Sequence, residues 1–332
     1  MIDQVKDLKV VAIIGNVKNA GKTTVLNFLL TNLSQSETAI TSIGLDGEAI
    51  DQVTFLPKPR IFVTAGSLVA TAEECLKTTE AGYEILLRTS IVTALGPIVI
   101  IRIIAPGNCL VAGPSTIEEM SELIRVLKKY PTKRVLIDGA FSRQTPAILA
   151  DATILVIGAD YSRDIEKVIE DASFKVRQLS LPYAGDDLRF LAGENTLVAI
   201  MKDGSIQRFP ERSTLVDPQR ILERIDGHTR ALYCPKTLGS RFLHAYLKQN
   251  LSITLIIPSP IHMHCDEALN RRMDQWEKSI KVIHPIRLLA VCINPTSPKG
   301  YEFPKKLFSE RLTKALPIPV FNVCDDEGGK DE

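Results

Sequence analysis

The chemistry in this chain concentrates in one run, Gly15-Asn16-Val17-Lys18-Asn19-Ala20-Gly21-Lys22-Thr23-Thr24. It stands between a β-branched apolar segment, Lys9 to Gly15, and a segment from Lys22 to Ser34 with Val25, Phe28, Leu29 and Leu33 at helical spacing. A strand, a glycine-flanked loop, Gly-Lys-Thr-Thr and a helix, in that order, are what a phosphate-binding P-loop requires. Backbone N–H groups of such a loop wrap phosphate oxygens, and the helix N-terminus adds a partial positive charge. The expected nucleotide contacts are Gly15, Asn16, Lys18, Asn19, Ala20, Gly21, Lys22, Thr23 and Thr24. Lys22 is expected on the outer phosphates as the catalytic cation, and the Thr23 hydroxyl on Mg²⁺. The strict pattern, G-x(4)-G-K-[ST], has glycine where this chain has Asn16, with Gly15 one residue earlier. That departure bears on the loop's geometry, because asparagine enters left-handed conformations less freely than glycine.

Magnesium in such a site needs an acidic partner at the end of another core strand. The segment Arg134-Val-Leu-Ile-Asp138-Gly139 supplies one, so Asp138 is expected to hold Mg²⁺ directly or through water. Gly44-Leu45-Asp46-Gly47-Glu48 follows the second strand-like segment, where P-loop switch proteins carry acids facing the metal or the attacking water. Asp46 is the favoured catalytic residue there and Glu48 its alternative; the same residues also encode an Asp-Gly turn. Arg143 is a further candidate for a γ-phosphate, and Asp160 for a base contact. His262-Met263-His264-Cys265-Asp266 is the densest group of metal-type ligands. It lacks a second ligand pair and reads better as a loop leading to a capped helix. Cys109 and Cys234 have no nucleophile signature around them.

These residues need elements to carry them. Ala39–Gly44, Arg60–Thr64, Ile98–Ala105, Arg134–Asp138 and Ala152–Gly158 read as strands, with Arg60–Thr64 the third in order. Ala70–Lys77, Gly82–Leu95, Ser115–Lys129 and Arg163–Leu179 read as helices, the third capped by Ser115 or Thr116. Strands separated by helices predict an α/β fold: a mostly parallel, P-loop NTPase-like sheet with helices on both faces. The pattern changes near Leu181, predicting a P-loop domain over 1–185 and a second α/β region over 186–332. In the latter, Thr196–Lys202 and Ser205–Phe209 form a hairpin on Asp203-Gly204. Asp266–Ile280 reads as a charged helix and Ile286–Asn294 as a core strand.

The whole chain has 332 residues, 45% apolar and 24% charged, which excludes disordered, collagen-like and coiled-coil chains and suits two domains. Forty Lys+Arg against 39 Asp+Glu leave no overall charge to steer it onto nucleic acid or a membrane, and basic residues do not cluster with aromatics. Its longest apolar run is interrupted by Arg102 and is too short to span a bilayer. Six scattered cysteines without a CxxC pair read as reduced thiols, so a cytoplasmic location is expected.

Several further spellings extend the P-loop: Gly44-Leu-Asp-Gly-Glu48, Lys58-Pro59, Ala70-Thr71-Ala72, Gly113-Pro114-Ser115, Asp138-Gly139-Ala-Phe-Ser-Arg143 and Asn294-Pro295-Thr-Ser-Pro298. Together they resemble the smaller, P-loop subunit of the reactivating factor for adenosylcobalamin-dependent lysine 5,6-aminomutase and ornithine aminomutase. The resemblance implies a chaperone of lysine degradation that uses ATP and Mg²⁺ to release damaged cobalamin from a B12-dependent aminomutase. It also implies a larger partner, an ATPase related to MutS. The family's phosphate loop carries over to residues 15–24 and its metal acid to Asp138, while residues 186–332 receive no role. Read without the resemblance, the residues leave three alternatives open: a dethiobiotin-synthetase-like ligase or kinase, a GTPase metallochaperone or molybdopterin-guanine-dinucleotide-related protein, and a nucleotide sensor without turnover. No N-K-x-D guanine signature is evident, and whether ATP or GTP is bound stays open at this point.

Overall fold

The computed structural model describes residues 1–43, 60–139, 146–249, 251–276 and 279–323. Two compact units emerge: one combines residues 1–172 with those from 288 onward, and the other comprises 173–287. In chain order the first unit contributes β1 (Val10–Gly15), β2 (Thr38–Ser42), β3 (Leu68–Ala72), β4 (Gly82–Thr93), β5 (Gly96–Ala105), β6 (Arg134–Asp138) and β7 (Ala152–Gly158). The second contributes β8 (Val198–Met201), β9 (Ile206–Arg208), β10 (Thr229–Tyr233), β11 (Thr254–Ile257) and β12 (Ile280–Val282). The chain then returns to the first unit with β13 (Leu288–Asn294) and β14 (Val320–Phe321). The longer helices are α1 (Lys22–Asn32), α2 (Ile117–Leu127), α3 (Ile165–Leu179), α4 (Ser240–Lys248) and α5 (Lys305–Ala315).

The first unit is built on a nine-stranded sheet in the order β14-β13-β7-β1-β6-β2-β3-β5-β4. Pairing is parallel from β14 through β3, and β5 and β4 close one edge as an antiparallel hairpin. All six residues of β1 and all seven of β7 are buried, as strands covered on both faces must be. The two faces carry separate cores. On one, Val25 and Leu29 of α1 join Val11 and Ile13. On the other, Met120, Leu123 and Leu127 of α2 join Val10, Val135 and Ile137. Alternate residues of a strand point to opposite faces, which is how β1 serves both helices. Thr116 caps α2 by accepting from the Glu119 N–H at 3.2 Å, and its hydroxyl donates to the Glu119 carboxylate at 2.9 Å. The α/β class, the mostly parallel sheet and the strand-loop-helix order at the N-terminus all match the sequence reading.

Several expected elements differ. Gly82–Thr93 is an edge strand rather than a helix, and Leu68–Ala72 is a strand followed by a short 3₁₀ turn. The apolar residues between 82 and 95 mimic helical spacing because three register shifts interrupt the β4–β5 pairing and spoil its alternation. The β-branched residues Thr89, Ile91, Val92 and Thr93 favour the extended state, and Gly96 adopts φ 91° at the turn. Ile61–Val63 pairs antiparallel with Gly107–Cys109 outside the large sheet, so Leu68–Ala72 takes the place expected of it. Asp266–Ile280 is not one helix: Glu267–Arg271 is helical, Met273–Gln275 a 3₁₀ turn, and β12 begins at Ile280.

The second unit carries a five-stranded sheet, β9-β8-β10-β11-β12, with the expected β8–β9 hairpin turning at Gly204, φ 88°. Its core gathers Phe242, Leu243, Trp276, Leu255 and Leu232. The sequence placed everything after 185 in one region; in the fold, β13 pairs in parallel with β7, Asn294 opposite Gly158. A buried parallel strand reads the same wherever in the chain it is written, so nothing local betrays which sheet receives it. No helix among the described residues is long and apolar enough to cross a membrane.

Candidate functional site

The register of the parallel strands brings their carboxyl ends to one edge of the sheet. Gly15 lies opposite Val156 of β7, Ile13 opposite Asp138 of β6, and Ser42 of β2 also opposite Asp138. Ligands of open α/β sheets bind in the crevice outside these carboxyl ends. Here the loop of residues 15–24 turns from β1 into α1 over that edge.

Glycines set how closely the loop packs. A Cβ on Gly158 would lie 2.6 Å from the Ala20 Cα, and one on Gly15 would lie 3.2 Å from both the Ala20 Cβ and the Lys22 Nζ. Gly21 adopts φ 99° and serves as the N-cap of α1 without a side-chain hydrogen bond, and the first turn of α1 carries no acidic residue. The helix therefore offers its first N–H groups and its positive dipole end without a side chain of its own covering them.

The Asn16 departure has a structural explanation that the pattern did not suggest. Asn19, at φ 60°, is the non-glycine residue with positive φ among those described, so Asn16 bears no left-handed strain. Its buried amide acts as a clamp. Nδ2 donates to Asp171 Oδ2 at 2.9 Å, Oδ1 accepts from the Gly158 N–H at 3.0 Å, and its own N–H donates to the Val156 carbonyl at 3.0 Å. A glycine could make only the last of these. Asp171 lies on α3, far away in sequence, and only the fold connects the two.

Lys22 leads α1 and curls back over the loop, its Nζ 3.5 Å from the Val17 carbonyl. Burial lowers its pKa, and the nearby charge of Asp138 opposes that shift. Asp138 has the converse balance: burial raises its carboxyl from 3.8 to about 6, with Lys22 opposing. As a whole Asp138 is half-buried, but its Oδ1 is enclosed and accepts no hydrogen bond. An unsatisfied carboxylate oxygen near the uncapped start of α1 suits a cation and an anion side by side, which is the donor set Mg²⁺ and a phosphate ask for. Thr23 is half-buried and Thr24 exposed in the first turn of α1.

Lys22, Thr23 and Asp138 thus stand at the same sheet edge. Asp46, Glu48 and Arg143 lie outside the described residues. Two residues given no role by the sequence enter the neighbourhood. Asn294, ending β13, has its side chain 3.2 Å from where a Gly21 Cβ would be, and its Oδ1 accepts the Thr296 N–H at 3.1 Å. Its only local signal is a strand-ending Asn before Pro295. Asp171 is the other, with no local signal. Asp160, read as a base contact, is buried with Oδ1 engaged by the Ser297 hydroxyl at 2.9 Å and the Lys299 ammonium at 3.0 Å.

The histidine segment forms no metal site among the described residues. His262 Nδ1 pairs with the Ser259 hydroxyl at 2.9 Å, while Asp266 caps the short helix after it and meets His244 at 2.8 Å. Burial pushes the Cys109 thiol up to about 11 and raises Cys234 further, so neither is a thiolate near neutral pH. No protein-family model matches the chain, and no curated protein or solved structure is significantly similar to it.

Proposed function

We propose that the chain is a nucleotide-binding protein with a P-loop NTPase-like first unit, in which residues 15–24 hold the phosphates of ATP. The observation that carries this reading is the pairing of an uncapped α1 N-terminus, under Lys22, with the unsatisfied Oδ1 of Asp138. Thr23 and Asp138 would hold Mg²⁺, which supplies charge neutralisation on the outer phosphates. The chain's own residues do the rest: loop N–H groups orient the phosphates, Lys22 offsets their charge, and Asn16 keeps the loop fixed to β7 and α3. Titration calorimetry with ATP and GTP, with and without Mg²⁺, tests this part. Magnesium-dependent ATP binding that Lys22→Ala abolishes without changing the circular dichroism spectrum is expected; unchanged affinity in that variant would sink the reading.

The biological role proposed is that of a subunit of a reactivating chaperone for an adenosylcobalamin-dependent aminomutase, coupling nucleotide binding and hydrolysis to release of damaged cobalamin. It rests on the motif resemblance, which the loop, Asp138 and the Asn294-Pro295 segment carry. Affinity capture from an extract of its own cell, with MgATP or without nucleotide, is the test. Nucleotide-dependent recovery of a B12 aminomutase or a MutS-like ATPase is expected. No such partner, together with turnover that rises on adding small carboxylic acids or alcohols, would replace the chaperone by a metabolic ligase or kinase.

A further inference from the structure

The opposite edge of the same sheet, where β1 and β6 begin, holds a concavity of about 440 Å³ bordered by Lys6, Asp7, Lys9, Lys128, Lys133 and Arg134. Five cationic side chains there face one carboxylate. Two are neutralised by neighbours, Lys6 by Asp3 at 3.0 Å and Lys133 by Glu37 at 2.6 Å. Lys9, Lys128 and Arg134 have no ion-pair partner among the described residues. Arg134 is the unusual member. Only 4% of it is exposed, its Nη2 donates to the Lys6 carbonyl at 3.0 Å, its Nη1 makes a long 3.4 Å contact to the Thr38 hydroxyl, and its enclosed Nε has no partner. A guanidinium has five donors in a planar fork, and burying one without a counter-charge is costly. The guanidinium charge therefore lacks a counter-ion among the described residues, and the Nη hydrogens beyond those used by Lys6 and Thr38 are the donors left to meet one. The carboxyl end of α2 also arrives here and would repel an anion, but its Leu127 carbonyl is already covered by the Tyr130 N–H at 3.1 Å and the Thr132 hydroxyl at 3.3 Å.

We propose that this concavity binds a small polyvalent oxyanion, of the phosphate or polyphosphate class, with Arg134 as its floor and Lys9 and Lys128 on its rim. The recessed position of the guanidinium selects a compact free ligand: the flat surface of a bilayer or a duplex could reach the exposed rim lysines but not the buried floor. The site is separate from the phosphate loop, which lies at the carboxyl ends of the same strands, and does not depend on the nucleotide reading.

The experiment is titration calorimetry with sodium tripolyphosphate on the full chain carrying Lys22→Ala, which removes the loop's lysine. Saturable one-to-one binding is expected, weakening as sodium chloride is raised. Adding Lys9→Glu and Lys128→Glu, whose side chains are exposed and make no ion pair or hydrogen bond among the described residues, is expected to weaken it at least tenfold, and Arg134→Gln to do the same wherever that buried substitution folds. Loss of all tripolyphosphate binding in Lys22→Ala, or equal affinity in the rim double variant, would overturn the proposal. Either result leaves the phosphate-loop reading to its own test.

Discussion

Asp138→Asn is expected to stabilise the ligand-free protein while abolishing the metal-dependent nucleotide binding proposed for it. The carboxyl titrates at about 6 in the fold against 3.8 as an ordinary aspartate, because burial disfavours its charged form more than Lys22 favours it. A folded pKa above the unfolded one means the neutral acid is the better-tolerated form. Its contribution is fully present below pH 3.8 and is lost as pH rises through 6. The rise from 3.8 to about 6 corresponds to a ceiling of about 3 kcal/mol at pH 7.5. The residue is only half-buried and the variant also deprives Lys22 of its counter-charge, so a gain of about 1–2 kcal/mol is the reasoned expectation. The sole tryptophan, Trp276, lies in the second unit, so its fluorescence does not report on β6. Native-state hydrogen exchange of the β1 and β6 amides, run on both proteins between pH 5 and 7.5, reads the right element. The stabilisation should grow with pH across that window, with roughly half of its full value already present at pH 5. A difference that does not vary with pH, or a variant less stable at pH 7.5 than the parent, would refute the electrostatic account of Asp138.

Three other substitutions probe the surrounding fold. Asn16→Gly, which restores the strict loop pattern, should destabilise the first unit by about 2 kcal/mol because the two side-chain hydrogen bonds of Asn16, to the Gly158 N–H and to Asp171, are lost; exchange of the β7 amides measures it, and a neutral effect would show the clamp to be idle. Gly158→Ala is a steric test, since φ −106° suits alanine but its Cβ would meet the Ala20 Cα at 2.6 Å. On the proposed nucleotide reading, calorimetric affinity for MgATP should fall by about tenfold or more as the loop is displaced. Thr116→Ala should cost about 1 kcal/mol through loss of the α2 cap, read as increased exchange in the first turn of α2.

The parts of this architecture written locally were legible. β1, the loop and α1 declare themselves through a β-branched run, Gly21-Lys22 and apolar residues at helical spacing, and Asp138 through an apolar strand ending in an acid. Two kinds of information were not. Strand β4 was misread because its register shifts break the period-two signal on which recognition depends. The partnership of Asn16 with Asp171 joins residues that no sequence window holds together, so a residue that weakens the motif on paper turns out to be tied into two neighbouring elements. The place of β13 was hidden for a similar reason: its core-strand pattern would suit either sheet.

That placement has a consequence for how the protein is made. Strand β7 leaves the ribosome well before β13, and residues 173–287 must be synthesised in between, an interval on the order of ten seconds at ordinary elongation rates. Throughout it, the nascent first sheet ends at β7 with an open row of backbone N–H and C=O groups, and the Asn294 side chain beside Gly21 does not yet exist. Such an edge is a template for wrong pairing. The intervening unit has its own sheet and core and can fold while the edge waits, so it acts in effect as a timer between two halves of one sheet. A fragment cut at residue 185 would freeze the protein at this vulnerable stage.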